Sequence, residues 1–109
     1  LGAVGQGVGL SLLANGYNVV AFDFDEVDSN NVIPQGYSQA QVGFSKAIAF
    51  DENAEAFIGV TPTVFDKAYN GMTSEVMISA VDSMAGRKQV FDAFLDSDAK
   101  LFIDARMNP

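Results

Sequence analysis

The sequence predicts an α/β chain built on a mostly parallel sheet with flanking helices. Val19-Val20-Ala21-Phe22, Val76-Met77-Ile78-Ser79-Ala80-Val81 and Lys100-Leu101-Phe102-Ile103 are short, mostly apolar runs, as expected of strands buried on both faces. Each run leads into an acid: Asp23, Asp82 and Asp104. Segments with helical spacing lie between them, and alternation of strand and helix is the pattern of a parallel sheet. In such sheets ligands bind beyond the carboxyl ends of the strands, so the three acids are expected along one edge, facing a cleft.

Taken in order, the chain opens on Leu1-Gly2-Ala3-Val4-Gly5-Gln6-Gly7-Val8-Gly9, a glycine-rich turn, followed by a helix over Leu10 to Asn15 that Gly16 stops. Glycines ahead of a helix let the backbone approach a phosphate at the positive helix end, and they equally permit close packing of helix on strand. Gly5 and Asp23 are 18 positions apart. A dinucleotide-type glycine turn and its ribose-binding acid stand ~20 apart. A turn of this kind follows a strand, and no strand precedes Leu1 in this sequence, so upstream sequence or a differently built sheet centre is expected. The run Val19 to Phe22 delivers Asp23, and Asp23 to Gln35 is the polar stretch around which the chain is organised. Phe44 to Phe57 reads as a helix with Ala47, Ile48, Phe50 and Ala54 on its apolar side and Asp51, Glu52 and Glu55 on a solvated one. Phe57 to Phe65 is β-rich, with Pro62 making it an edge strand or splitting it. Asp66 to Thr73 is a loop around Asn70-Gly71. After the run ending in Asp82-Ser83, either of which serves as a helix N-cap, Met84 to Asp96 forms a helix with Val90, Phe91, Phe94 and Leu95 as its apolar stripe.

Composition narrows the functions. At 109 residues, 49% apolar and 18% charged, the chain is expected to form one globular domain over 1–109. It has no apolar run near the ~20 residues of a membrane span, and no signal-peptide pattern, so the expected location is cytoplasmic. It contains no cysteine and no histidine, which removes disulfides, thiolate zinc sites, thioester chemistry and the usual general base. A net charge of −8 argues against a nucleic-acid surface, since Lys and Arg supply affinity for phosphate backbones. Any phosphate ligand must be held by backbone N–H groups, a few cations or a metal.

The order of motifs is more specific than any one of them. Gly2-Ala3-Val4-Gly5 is followed by Asp23-x-Asp25-x-Val27, then Asn31 and Gln35, then Gly43-x-x-Lys46. Ser79-Ala80-Val81-Asp82-Ser83-Met84-x-x-Arg87 and Phe102-Ile103-Asp104-Ala105-Arg106-Met107 complete the series. The series, running over nearly the whole chain, resembles the ThiF/MoeB/E1 family of ATP-dependent adenylating enzymes. The resemblance implies a Rossmann-like fold, and activation of the C-terminal carboxylate of a ubiquitin-like or sulfur-carrier protein with ATP and Mg²⁺. It implies that Gly2 and Gly5 border the nucleotide phosphates and that Asp23 holds the ribose. It implies further that Asn31 and Lys46 contact the triphosphate, that Gln35 lies near the phosphates and that Asp82 sits at the Mg²⁺. Homodimerisation is implied as well. Adenylation is attack of a carboxylate on the α-phosphorus, so a lysine and a metal that neutralise developing charge suit it, and no histidine or cysteine is required.

The chain departs from the family where better-known members carry Asn-x-x-Arg-Gln: here Pro34 replaces the arginine. It also lacks the E1-type thioester cysteine and zinc-binding cysteine pairs, enters the first motif one residue late, and stops before the usual substrate-binding region, so it is expected to be incomplete at both ends. Two other readings stand beside adenylation. One is a degenerate nucleotide-binding or dimerisation module of the same fold. The other is an NAD- or FAD-binding oxidoreductase domain, which shares the glycine turn and Asp23 but leaves Lys46, Asp82 and the Asn31–Gln35 segment unexplained together.

Overall fold

The computed structural model describes residues 1–32, 34–81 and 83–105. It is a small α/β protein with short parallel strand pairs, organised as two compact units, Leu1–Ala68 and Tyr69–Pro109.

The first unit contains helix α1 (Ala3–Ala14), strand β1 (Val20–Phe22), helix α2 (Lys46–Ile58) and strand β2 (Thr63–Phe65), with short 3-10 turns at Ser29–Asn31 and Gln39–Gln41. Strands β1 and β2 are parallel, with Val20 opposite Thr63 and Phe22 opposite Phe65. Phe22 and Phe65 stack with ring centres 4.9 Å apart. Leu13 of α1 and Phe50 and Ala54 of α2 are buried together, with Ala21 of β1 and Val64 of β2 packed against them. A second buried group, Val27, Tyr37 and Ala49, fastens the loop after β1 to α2. Burial of side chains of these sizes stabilises by roughly 1.5–3 kcal/mol for each large one.

Helix α1 starts earlier than its glycines suggest. Gly5, Gly7 and Gly9 lie inside it rather than in a turn before it. Each costs about 1 kcal/mol against alanine in a helix interior. Tertiary packing offsets this: Gly9 is buried against the Phe50 ring, and Leu13 lies in the core. The end of α1 is as expected. Asn15 is the C-cap, Gly16 has φ +86°, and the N–H groups of Gly16 and Tyr17 donate to the carbonyls of Leu13 and Leu12. That is a Schellman motif, and its left-handed residue is why glycine stands there.

Helix α2 begins at the Ser45 N-cap, whose hydroxyl accepts from the N–H of Ile48, and ends at Gly59 with φ +78°. Phe57 therefore lies in the last turn of the helix rather than in a strand, and Pro62 leaves only Thr63–Phe65 for β2. The apolar side is as read for Ala47, Phe50 and Ala54, which are fully buried, whereas Ile48 is exposed.

The second unit contains strand β3 (Val76–Ser79), helix α3 (Met84–Leu95) and strand β4 (Leu101–Asp104), with β3 and β4 parallel and Ser79 opposite Asp104. Phe91 and Phe94 of α3 pack on Phe102 of β4, with centroids 5.3 and 5.6 Å away. Val90 is buried, while Phe91 and Leu95 are exposed. The parallel order expected of β3 and β4 is seen. The expectation also put β1 in the same sheet as these two; the described ladders pair β1 with β2 and β3 with β4. Among the described residues no helix is long and apolar enough to cross a membrane.

Candidate functional site

The candidate site gathers where the end of β1 meets the start of α1. β1 ends at Phe22, and the N–H of Asp23 still bonds across to Phe65 O at 3.2 Å, which fixes Asp23 at the strand's carboxyl end. The Asp23 side chain is only 9% exposed. Its Oδ2 accepts from the nitrogen of Leu1, and its Oδ1 accepts from the N–H of Asp25 at 2.8 Å. A carboxylate has about four lone-pair sites, so acceptor capacity is left for a ligand hydroxyl.

Gly2, immediately beyond Leu1, is the N-cap of α1, with extended backbone and no side-chain cap. No acidic residue stands in the first turn. Helix starts leave their first N–H groups without intrahelical partners and carry partial positive charge, which suits an anion. Gly5 is the third residue of the helix, so its N–H belongs to that first turn; the first helical bond runs from Gln6 N to Gly2 O at 2.9 Å. Gly2 and Gly5 thus border the N-terminus of α1 from within a cap and helix, not from a loop. At Gly2, φ is −70°. A β-carbon there would be 3.8 Å from Gln35 Nε2, an ordinary contact, so glycine is not sterically required.

That distance also shows where Gln35 lies: its side chain rests against Gly2. Gln35 Oε1 is buried and has no hydrogen-bond partner among the described residues. The segment that carries it is tied to α1 and to the residue ahead of its cap. Gln6 Nε2 donates to Gln35 O, and the Tyr37 hydroxyl donates to Leu1 O. Burial first, and then the negative charge of Asp23, push the Tyr37 phenol well above the ordinary tyrosine value.

A buried amide network, invisible to periodicity, stands behind Gln35. Gln6, Gln41 and Asn53 are 3%, 7% and 6% exposed. Asn53 Nδ2 donates to Gln6 Oε1 at 2.6 Å and to Gly36 O at 3.4 Å, and Gln41 Nε2 donates to Asn53 Oδ1 at 2.9 Å. Ser38 and Gln41 form a capping box on the second 3-10 turn, with Ser38 N donating to Gln41 Oε1. Gly36 has φ +79°, and a β-carbon on it would stand 2.9 Å from Gln6 Nε2. Here glycine is required twice over, by its backbone and by the approach of Gln6. The signals in the sequence were Gly36 and the uncharged Gln6 within an apolar helix.

Lys46 is the first residue of α2. Its N–H donates to Asp25 O at 2.9 Å, and Glu26 and Ser45 form an isolated antiparallel bridge, so the loop after β1 is clipped to the start of α2. Among the described residues the Lys46 ammonium makes no ion pair, and no acid stands in the first turn of α2. A cation at a helix N-terminus opposes the helix dipole by about 0.3–1 kcal/mol, and an anion nearby would meet both charges.

Of the remaining expected residues, Asn31 lies in the 3-10 turn Ser29–Asn31. Asp82 and Arg106 lie outside the described residues. The N-cap of α3 is Ser83, whose hydroxyl accepts from Gly86 N at 3.0 Å, so of the two caps the sequence allowed, serine fills the role. Asp104, at the end of β4, meets Arg87: Nε and an Nη nitrogen each lie 3.2 Å from its Oδ2. Among the described residues no group of three or more Asp, Glu, His or Cys converges.

An open groove of about 730 Å³ runs along the flank of α1 between Ala3 and Tyr17. It has no charged lining residue, and neither Asp23, Gln35 nor Lys46 lines it. The polar constellation at the helix start, rather than this groove, is the candidate site. Compared with protein-family models and with curated proteins, the chain matches none of them.

Proposed function

We propose that the chain binds ATP through the N-terminal turn of α1 and acts as the nucleotide-binding part of a Rossmann-like adenylating enzyme of the ThiF/MoeB/E1 type. Its substrate would be the C-terminal carboxylate of a ubiquitin-like or sulfur-carrier protein. The observation that carries this reading is the meeting of Asp23, at the carboxyl end of a parallel strand, with the uncapped start of α1 at Gly2. An acceptor for sugar hydroxyls beside a donor set for phosphate is the pairing a nucleotide needs.

In this reading the N–H groups of the first turn, Gly5 included, receive phosphate oxygens, and Asp23 takes a ribose hydroxyl. Lys46 supplies positive charge from the start of α2, in trend with the anion its position lacks. Asn31 and Asp82 keep the roles the resemblance implies, at the triphosphate and at Mg²⁺. The carrier carboxylate attacks the α-phosphorus, the bond to pyrophosphate breaks, and the protein works by position and charge rather than by proton transfer. Pro34, exposed in the turn before Gln35, has no charge to offer and supports the second reading, a binding module that keeps the nucleotide site without the reaction.

Equilibrium binding of ATP against NAD, with and without Mg²⁺, tests the ligand class, and carrier-dependent exchange of pyrophosphate into ATP tests the reaction. Tighter binding of NAD would replace adenylation with the oxidoreductase reading. ATP binding without exchange for any carrier would leave the binding module.

A further inference from the structure

We propose that Gln35 Oε1 accepts a hydroxyl of the bound ribose, and that Gln6 and Asn53 are positioning residues that hold it there. The inference rests on the nucleotide reading above and refines the place of Gln35 within it.

An amide oxygen accepts hydrogen bonds and cannot donate one, so it has nothing to offer an ionised phosphate. Gln35 Oε1 is buried and without a partner among the described residues, and a buried acceptor left unpaired is costly. What it requires is a donor. Its side chain rests against Gly2, one residue from the Leu1 nitrogen that meets Asp23 Oδ2. Two acceptors, Asp23 and Gln35 Oε1, therefore flank the residues that open α1, whose own N–H groups are donors. A ligand that satisfies all three carries an anion and neighbouring hydroxyls, which is a sugar phosphate.

The backbone that carries this amide is held in place. The backbone of Gln35 and Gly36 is gripped by Gln6 from α1 and by Asn53 from α2, and these two bond to each other at 2.6 Å. Gln41 holds Asn53 in turn. The grip acts on backbone carbonyls, so it fixes the starting point of the Gln35 side chain without using its amide.

The test compares ATP with 2′,3′-dideoxy-ATP by calorimetry on the parent, Gln35→Met, and the paired variant Gln6→Met/Asn53→Leu. The paired variant removes the Gln6–Asn53 bond and also takes the donors from Gln35 O and Gly36 O, so it is expected to lose stability, and thermal melts check that each variant still folds at the assay temperature. The parent is expected to prefer ATP, and both variants to lose about tenfold of that preference, the size of one hydrogen bond. Affinity for dideoxy-ATP should stay at the parent value in Gln35→Met. A merely structural role for Gln6 and Asn53 would weaken both nucleotides alike and leave the ratio unchanged, which overturns the positioning claim. A parent that binds both nucleotides equally overturns the hydroxyl assignment. A parent that binds neither overturns the nucleotide reading and this inference with it.

Discussion

Gly9 of α1 lies directly under the ring of Phe50 of α2: a β-carbon on Gly9 would stand 2.6 Å from Cζ and 2.9 Å from Cε1. The absence of a side chain is what brings the two helices together at this point. Gly9→Ala is expected to destabilise the chain by about 1–3 kcal/mol through overpacking, outweighing the helix propensity it gains. Urea unfolding measures this. Adding Phe50→Leu should recover part of the loss, and an additive double variant would show that the ring is not the obstacle.

Ser83 and Asp82 separate a cap from a site. Ser83→Ala removes the hydroxyl that receives Gly86 N and should cost about 0.5–2 kcal/mol in a thermal or urea melt. Asp82→Asn should leave the melt nearly unmoved and largely abolish Mg²⁺-dependent ATP turnover in an active enzyme. Parent-like exchange of pyrophosphate in Asp82→Asn would remove this residue from the metal.

Lys46 and Asp23 should divide the ligand between them. Lys46→Ala is expected to weaken ATP by several-fold more than adenosine, since an ammonium contributes where phosphate charge meets it. Asp23→Ala is expected to weaken adenosine as well. It should also lower stability, because the carboxylate receives Leu1 N and Asp25 N in the fold. Isothermal titration with ATP, adenosine and inorganic tripolyphosphate reads these patterns, and an equal loss for all three ligands in Lys46→Ala would contradict the assignment.

Tyr37 gives the chain an alkaline limit. Its phenol is pushed upward by burial and by Asp23, so in the folded state it keeps its proton where an unfolded tyrosine releases it, near pH ~10. Above that pH the unfolded chain binds fewer protons than the folded one, and stability falls as pH rises. The contribution is whole below pH ~10 and lost progressively above it. Tyr37→Phe should flatten most of the fall, measured as urea midpoints at about pH 8 and about pH 11. Tyr69 is also raised by burial and accounts for a further part.

The strands and the last two helices were legible because their signals are local. Apolar runs marked β1, β3 and β4, Ser83 stood where a cap belongs, and Gly16 ended α1 as a left-handed residue does. Helix α1 was misjudged at its start because glycine spacing speaks of backbone freedom, whereas here packing of Gly9 on Phe50 decides. Of the site, Asp23 could be read from its place at a strand end and Gly2 and Gly5 from their spacing, whereas the helix start itself was expected only at Leu10. The contacts among Gln6, Gln35, Gln41 and Asn53 could not, since they join residues far apart in sequence with no shared period, and neutral amides leave no charge pattern. Arg87 and Asp104 each stand in a motif of the sequence, but their pairing depends on how α3 packs against β4.

Each parallel pair is closed by a connection inside its own unit, β1 to β2 through α2 and β3 to β4 through α3. This bears on the order of synthesis. Every described residue that forms the first ladder leaves the ribosome before Val76 does, so a nascent chain can complete β1, α2 and β2 and bury Phe50 while β3 has not yet emerged. The second ladder closes a loop shorter by a little under half, a difference worth only about half a kcal/mol in closure entropy. Timing on the ribosome, rather than loop length, therefore sets which pair forms first, and the segment carrying Asp23 and Lys46 is assembled before Asp82 emerges.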